Sequence, residues 1–425
     1  MKVALVGCGS RHQMFRNALT GPYAGRHDLV ALCDTNPYRL SLSAAAVAKP
    51  GTNGIATYLP ADFDRMIAEQ GADTVLIASP DHTHAGYIIR AMEAGCDVIC
   101  EKPMTIDLPS LRQILAAQDR TGRKLRVTFN YRYAPARQQI RALLAAGTIG
   151  TVTGLDFRWH LDQVHGSDYF RRWHRDKANS GGLFVHKATH HFDLMNWWLG
   201  TNPVAVAASG GRLAYSPARA ADLGLSGHGP RCTGCPVRQR CPYPLDLDAD
   251  DRLAALYRDA EGEDGYHRDQ CIFSPEITLE DTLQAQIRFA NGVTANYSLT
   301  AYAPWEGLEV MVHGTGGQLS HRHVEVHGVF GGKRPKEKQS VTTTLHLAGQ
   351  EPVAIAVPEA QGDHGGADPL MLEDIFGAGG PESLASDHRA GAWSILAGIA
   401  ANAALESGRV EEIGPLLARA GIARI

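Results

Sequence analysis

The sequence predicts an α/β protein, with a doubly wound parallel sheet at the N-terminus followed by a second domain with a hairpin-built sheet. Three observations carry this. Strand-length apolar runs alternate with helix-length segments over roughly residues 1–125, the order that gives parallel strands and right-handed crossovers. The 425 residues exceed one ordinary core, so two domains are expected, 1–125 and 126–425. Between Leu283 and His313 the apolar runs are separated by Asn291-Gly292, a strong hairpin signal.

The first strand starts at Lys2 and ends in Gly7-Cys8-Gly9. Gly7 makes the tight turn, and Gly9 lets a pyrophosphate approach the backbone at a helix N-terminus. Ser10 and Arg11 continue this turn as candidate cofactor contacts, and His12 stands where the usual fingerprint has its third glycine. A helix is expected over His12–Leu19 and a second strand over Leu29–Cys33. Asp34 ends that strand, where an acid accepts from a ribose 2′-hydroxyl, favouring NAD over NADP. Arg39 is the nearby cation that could instead welcome a 2′-phosphate.

Thr74–Ala78 reads as a buried strand running into Ser79-Pro80-Asp81-His82-Thr83-His84. A helix to about Gly95 and the strand Cys96–Cys100 lead to Glu101-Lys102-Pro103. Pro103 cannot donate to a ladder, so the chain turns there and leaves Lys102 at the carboxyl edge of the sheet, where open α/β folds bind ligands. A helix near Leu108–Arg120 and a strand over Leu125–Phe129 close the domain.

Beyond the helix Pro135–Ala146 and the strand Val152–His160 lies an unusual segment. From Arg158 to His191 there are twelve Arg, Lys or His residues against three aspartates, with Tyr169, Phe170 and Trp173 interleaved. One reading is a solvated cationic face. The other is a wall of aromatic faces and guanidinium forks that binds a sugar or an anion, using Tyr169, Arg171, Arg172, Trp173 and Lys187. If Lys187–Leu199 is one helix, His186, His190 and Asp193 fall near one face. His190 is then either a satisfied core histidine or part of the chemistry. Histidines at i and i+4 are also metal-ligand spacing, but Lys187 stands between them, and a cation beside a metal is unfavourable.

After the strand Val204–Gly211 an insert at about 212–275 carries Cys232, Cys235, Cys241 and Cys271, with little amphipathic pattern. Four thiolates could hold a structural zinc, or alternatively an iron–sulfur cluster, and so order a lobe with few apolar residues. The alternative is four reduced thiols. Cys33, Cys96 and Cys100 read as small core residues, and Cys8 lies in the glycine turn. Hairpin-like runs extend the second sheet to about Val357, with Lys333–Lys338 as a charged loop. Asp363-His364-Gly365-Gly366 is either a substrate loop or a plain turn, and Asp387–Leu405 is a long helix with Asp387 as N-cap.

The chain resembles the glucose–fructose oxidoreductase / inositol dehydrogenase (Gfo/Idh/MocA) family. The matching residues are Gly7-x-Gly9, Ser79-Pro80-x-x-x-His84, Glu101-Lys102-Pro103, Asn130-Tyr131-Arg132-Tyr133 and the stretch Gly181–Trp198. The resemblance implies a Rossmann domain joined to a C-terminal α/β domain on an open, mostly antiparallel sheet. It implies NAD(P)-dependent oxidation of a sugar, uronate, cyclitol or related polyol. Ser79, Pro80, His84, Glu101, Lys102 and Asn130 would lie at the cofactor, and Arg132 at the substrate. Lys102 would bond the reacting hydroxyl and His190 take its proton, unless burial makes the lysine itself the base. The family usually has an aspartate where His186 stands here. Some relatives instead oxidise a sugar transiently to cleave its glycosidic bond, and a non-catalytic ligand sensor is a third reading. The cationic residues point to a carboxylate or sulfonate on the substrate.

The formal net charge of −4 gives no sign of a nucleic-acid partner, and no apolar stretch approaches the ~20 residues that span a bilayer. A strand beginning at Lys2 leaves no room for a signal peptide, so a cytoplasmic protein is expected, in a compartment where disulfides are rare. A free sheet face is expected to pair copies into a dimer or tetramer.

Overall fold

The computed structural model describes residues 1–48, 54–325, 338–358, 363–378 and 384–425. Lys333–337 of the expected charged loop therefore lie outside the described residues.

The first sheet comprises β1 (Lys2–Val6), β2 (Asp28–Cys33), β3 (Ala56–Tyr58), β4 (Thr74–Ile77), β5 (Asp97–Cys100) and β6 (Leu125–Val127). Its order is β3-β2-β1-β4-β5-β6, with every pairing parallel. Helices α1 (His12–Thr20), α2 (Pro37–Ala45), α3 (Phe63–Gln70), α4 (His84–Glu93) and α5 (Leu108–Thr121) make the crossovers. Continuous burial along Thr74-Val75-Leu76-Ile77 explains their unbroken apolar run, since helices cover both sheet faces. Asn36 and Asp107 cap α2 and α5 by accepting from Arg39 N and Ser110 N. The strand order reverses beside β1, so the carboxyl ends of β1 and β4 diverge and open a crevice.

The second sheet has nine strands. They are β7 (Val152–Asp162), β8 (Pro203–Gly211), β9 (Thr282–Phe289), β10 (Thr294–Ala303), β11 (Glu306–Gly314), β12 (Gly317–Glu325), β13 (Ser340–Leu347), β14 (Val353–Ile355) and β15 (Glu411–Glu412). The order is β14-β13-β12-β11-β7-β10-β9-β8-β15, antiparallel except where β7 lies beside β10. Asn291-Gly292 makes the expected hairpin, with Gly292 at φ +86°. Along β9 buried and exposed positions alternate strictly, so one face is wet. The other packs under the helices Thr189–Leu199 and His388–Ser407.

The helix expected over Lys187–Leu199 is present from Thr189 onward, but His186, expected near its face, ends a separate preceding helix. α6 spans Pro135–Ala145, α7 Gln163–Tyr169, α8 Lys177–Ser180, α9 Gly182–His186 and α10 Thr189–Leu199. Gly181 and Gly182, both at positive φ (69° and 77°), bend the chain into α9, which stops at His186. His186 and His190 therefore sit on different helices, and the i, i+4 face drawn from sequence does not exist.

Candidate active site

A cleft of about 460 Å³ opens at the carboxyl edge of the first sheet and is walled on its far side by the second domain. Gly7, Gly9, Ser10, Arg11, Asp34, Ser79, Pro80, His84, Glu101, Lys102 and Asn130 all line it, as do His186, Lys187 and His190. Eleven of the twelve expected cofactor residues are thus gathered in one place. His12 is the exception: one ring nitrogen meets the Gly9 carbonyl and the other lies 2.8 Å from Ser43 Oγ, so it braces the glycine turn against α2.

The dinucleotide end is built from backbone. Gly7 has φ +91°, and a Cβ there would lie 2.7 Å from the Ala78–Ser79 backbone, so only glycine lets β1 turn against β4. At Gly9 a Cβ would meet nothing within 4 Å, so this side of the turn faces open cleft at the start of α1. Asp34 is fixed by the amides of Cys8 (2.5 Å) and Asn36 (2.7 Å). Asn130 donates to Asp368 (2.7 Å), while its buried Oδ1 has no partner among the described residues. An open glycine turn, a fixed acid at the end of β2 and an unsatisfied amide oxygen fit a nicotinamide dinucleotide. Arg11 is already engaged, with Nε on Glu101 (2.7 Å) and Nη1 on Asp368 (3.2 Å). The His84 ring lies between the carbonyls of Pro103 (2.8 Å) and Ser79 (2.9 Å), tying two strand ends together.

Lys102 sits at the centre. Its Nζ donates to the His186 carbonyl at 3.1 Å and lies 3.5 Å from His186 Nε2. His186 Nδ1 in turn lies 2.5 Å from Asp81 Oδ2. Burial lowers the Lys102 ammonium from its usual 10.5 to about 8; Asp81 and Glu101 oppose the fall, while Lys187 and Arg11 add to it. Burial, helped by Lys102, likewise holds His186 and His190 well below the usual imidazole range, so both are neutral near pH 7. Asp81 is a functional candidate missed in the sequence reading. It is one of the unspecified positions of Ser79-Pro80-x-x-x-His84, and no local pattern links it to a histidine 105 residues away.

His190 stacks on Tyr131 with ring centroids 4.6 Å apart, and its buried Nδ1 has no partner among the described residues. Lys187 is 5% exposed and holds its ammonium 4.6 Å from the Trp159 ring centre, burial lowering its pKa against the pull of Glu306 and Glu325. Tyr169, Arg172 and Trp173 line the same cleft, with Trp173 stacked on His174 at 3.6 Å. The segment is therefore not a solvated face. Two expected substrate residues, Arg132 before this segment and Arg171 within it, point elsewhere. Arg132 makes a buried bidentate pair with Asp193 (2.7 and 2.6 Å), and Arg171 donates to Cys232 Sγ (3.3 Å) and the Tyr243 carbonyl (2.6 Å). A guanidinium so far from water takes the acceptor that desolvation leaves nearest. His364, in the glycine loop, bonds Asp368 (2.9 Å) and lines the cleft, so that loop does reach the site.

Cys232, Cys235, Cys241 and Cys271 border one small cavity of about 20 Å³. Among the described residues, however, no three His, Cys, Asp or Glu side chains are grouped as a metal ion requires, so the expectation of zinc or an iron–sulfur cluster finds no support. The lobe is ordered otherwise. Leu245, Leu247, Leu253, Leu256 and Tyr257 form a separate apolar cluster with Cys232. Arg231 pairs with Glu261 and Asp269, each at 2.8 Å, and Arg268 reaches Asp168 at 2.6 Å.

A parallel dinucleotide-type sheet, an open antiparallel sheet and a lysine at their junction define an oxidoreductase. Residues 1–129 match the family model described as "Oxidoreductase family, NAD-binding Rossmann fold", and residues 141–411 match its C-terminal alpha/beta domain. YteT of Bacillus subtilis (strain 168), an oxidoreductase by its name, is 33% identical over 93% of this chain and 94% of its own. Inositol 2-dehydrogenase of Rhizobium meliloti (strain 1021) is 32% identical over 49% of this chain and 58% of its own. An oxidoreductase from Agrobacterium radiobacter, solved with NAD+, L-tartaric acid and magnesium, shares the fold at TM-score 0.65 and 16% identity, over 98% of this chain and 99% of that one. The chain belongs to the Gfo/Idh/MocA family of oxidoreductases and carries its NAD-binding domain.

Proposed function

We propose that the protein is an NAD-dependent dehydrogenase that oxidises one CH–OH group of a sugar, uronate, cyclitol or related polyol. The observation that carries this is the buried Lys102 amine, brought near neutrality in the cleft that also holds Gly7, Gly9 and Asp34. Bound there by the glycine turn, Asp34 and Asn130, a nicotinamide dinucleotide would supply the hydride acceptor.

The protein's own groups then handle the proton. Neutral Lys102 accepts it from the substrate hydroxyl. His186 Nε2, 3.5 Å from that nitrogen, is the next acceptor, and Asp81 at Nδ1 fixes the tautomer that leaves Nε2 able to accept. An aspartate from the end of β4, acting through an imidazole, thus fills the place where His186 replaces the family's usual aspartate. His190, neutral and open at Nδ1, bonds a neighbouring hydroxyl, a narrower role than the base first expected of it. Lys187 and Arg172 give the cleft two cations that suit a carboxylate-bearing polyol, with Trp173 as a face for the sugar ring. The inositol named for one relative is a neutral member of the same substrate class.

The test is a panel of inositols, glycosides, uronates and sulfosugars with NAD+, followed by NADH absorbance. At least one polyol is expected to generate NADH, with uronates ahead of neutral sugars. In Lys102→Ala turnover should fall about 10²–10⁴-fold while NADH affinity stays within about threefold. Turnover surviving in Lys102→Ala would refute the assignment. Because the cysteine lobe contacts the glycine turn, through Arg252 on Ser10 Oγ (3.1 Å), a retained cofactor and redox-neutral glycoside cleavage form the second reading. Product release without net NADH would select it.

A further inference from the structure

The lobe that follows β8 also reaches over the far end of the cofactor cleft. Tyr257, Asp264 and Tyr266 line the cleft together with Asp34 and Arg39. Asn36, beside Asp34, donates to the Ala260 carbonyl at 2.9 Å, so the lobe is anchored at the end of β2. Arg39 bonds the Asp264 carboxylate directly, and its Nε lies 3.7 Å from Asp34 Oδ1. The side chains of Arg39, Asp34 and Asp264 are only 11%, 8% and 18% exposed.

Among the described residues Arg39 is the one cation lining this end that could receive a ribose 2′-phosphate, and its Nη2 is taken by Asp264 while Asp34 flanks its Nε. A dianionic phosphate entering here would meet two carboxylates and a guanidinium already paired with them. A ribose 2′-hydroxyl needs only an acceptor, which Asp34 supplies. Resting on the assignment of this cleft to a nicotinamide dinucleotide, we infer that Asp264 is a specificity-determining residue, which excludes NADP by occupying Arg39 from outside the Rossmann domain. The cofactor preference is set jointly by the end of β2 and by the inserted lobe.

The test needs no substrate. NADH and NADPH are titrated by fluorescence into the wild-type protein, Asp264→Asn, Asp264→Ala and the double variant Asp264→Asn/Arg39→Ala, with thermal melts to confirm folding. Wild type should prefer NADH. Both single variants should bind NADPH about tenfold more tightly, the gain of roughly one charge-assisted hydrogen bond. NADH affinity should change less than about threefold, since Asp34 is untouched. The double variant should lose the NADPH gain, because the gain runs through Arg39. Unchanged NADPH affinity in both folded single variants would overturn the role of Asp264 while leaving the cofactor site intact. Failure of wild type to bind either dinucleotide would instead overturn the cofactor reading and the inference with it.

Discussion

At Lys102, desolvation competes with charge pairing, and the balance sets the pH at which the amine works. Oxidation should rise with pH through about 8, as Lys102 loses its proton. Asp81 pushes the Lys102 pKa upward, so Asp81→Asn should move that limb to lower pH while also lowering the maximum rate. Rate–pH profiles of wild type and variant check this; an unmoved limb would reduce Asp81 to a structural brace for His186. Gly7, Gly9, Asp34 and Lys102 were legible in the sequence because glycine turns, strand ends and proline stops are local signals. The Asp81–His186 pair was not, nor was the Arg132–Asp193 pair, because their partners are separated by 105 and 61 residues. Arg132 and Arg171 looked like substrate residues since an unpaired arginine and a buried, paired one read alike in sequence.

Helix α9 shows what a single element does here. Its five residues are all buried, and its last one delivers both the carbonyl and the ring that hold Lys102. The helix His388–Ser407 lies directly against it: a Cβ at Gly398 would collide with the Phe184 carbonyl. Gly398→Ala should therefore destabilise the protein by about 1–3 kcal/mol in denaturant unfolding and lower turnover by displacing His186. The reading that put His186 on one face with His190 came from histidine spacing alone. It could not register that the chain leaving the positive-φ Gly181 and Gly182 forms a short helix of its own that ends at His186. The cysteine lobe misled in the other direction. Its apolar residues come in two short groups, Leu245 and Leu247 and then Leu253, Leu256 and Tyr257, too brief to announce a small core, so a metal seemed necessary.

Across the whole molecule, the site exists only where the two domains meet. Lys102 and Asp81 come from the first sheet, His186 and His190 from the second domain, Asp368 from the C-terminal segment that binds Arg11 and Asn130. Val127 N also bonds the Ser386 carbonyl at 2.9 Å, so the chain returns to the edge of the first sheet before its last long helix. A ligand held across such a junction stabilises both halves. NADH at about 100 times its Kd should add ~2.7 kcal/mol to unfolding, seen as a higher Tm, and unequal shifts of two separate transitions would show the halves uncoupled. Among the described residues no helix is long and apolar enough to cross a membrane. The wet face of β9 and β10 is the surface on which we propose that a second copy packs, to be checked by light scattering. The most direct measurement of the central idea is a carbon-13 NMR titration of lysine side chains, with Lys102→Arg used for assignment. The account predicts that Lys102 titrates near 8, well below the usual 10.5. A Lys102 resonance titrating at 10.5 or above would contradict it, because the amine would then stay charged through the pH range over which oxidation is expected to rise.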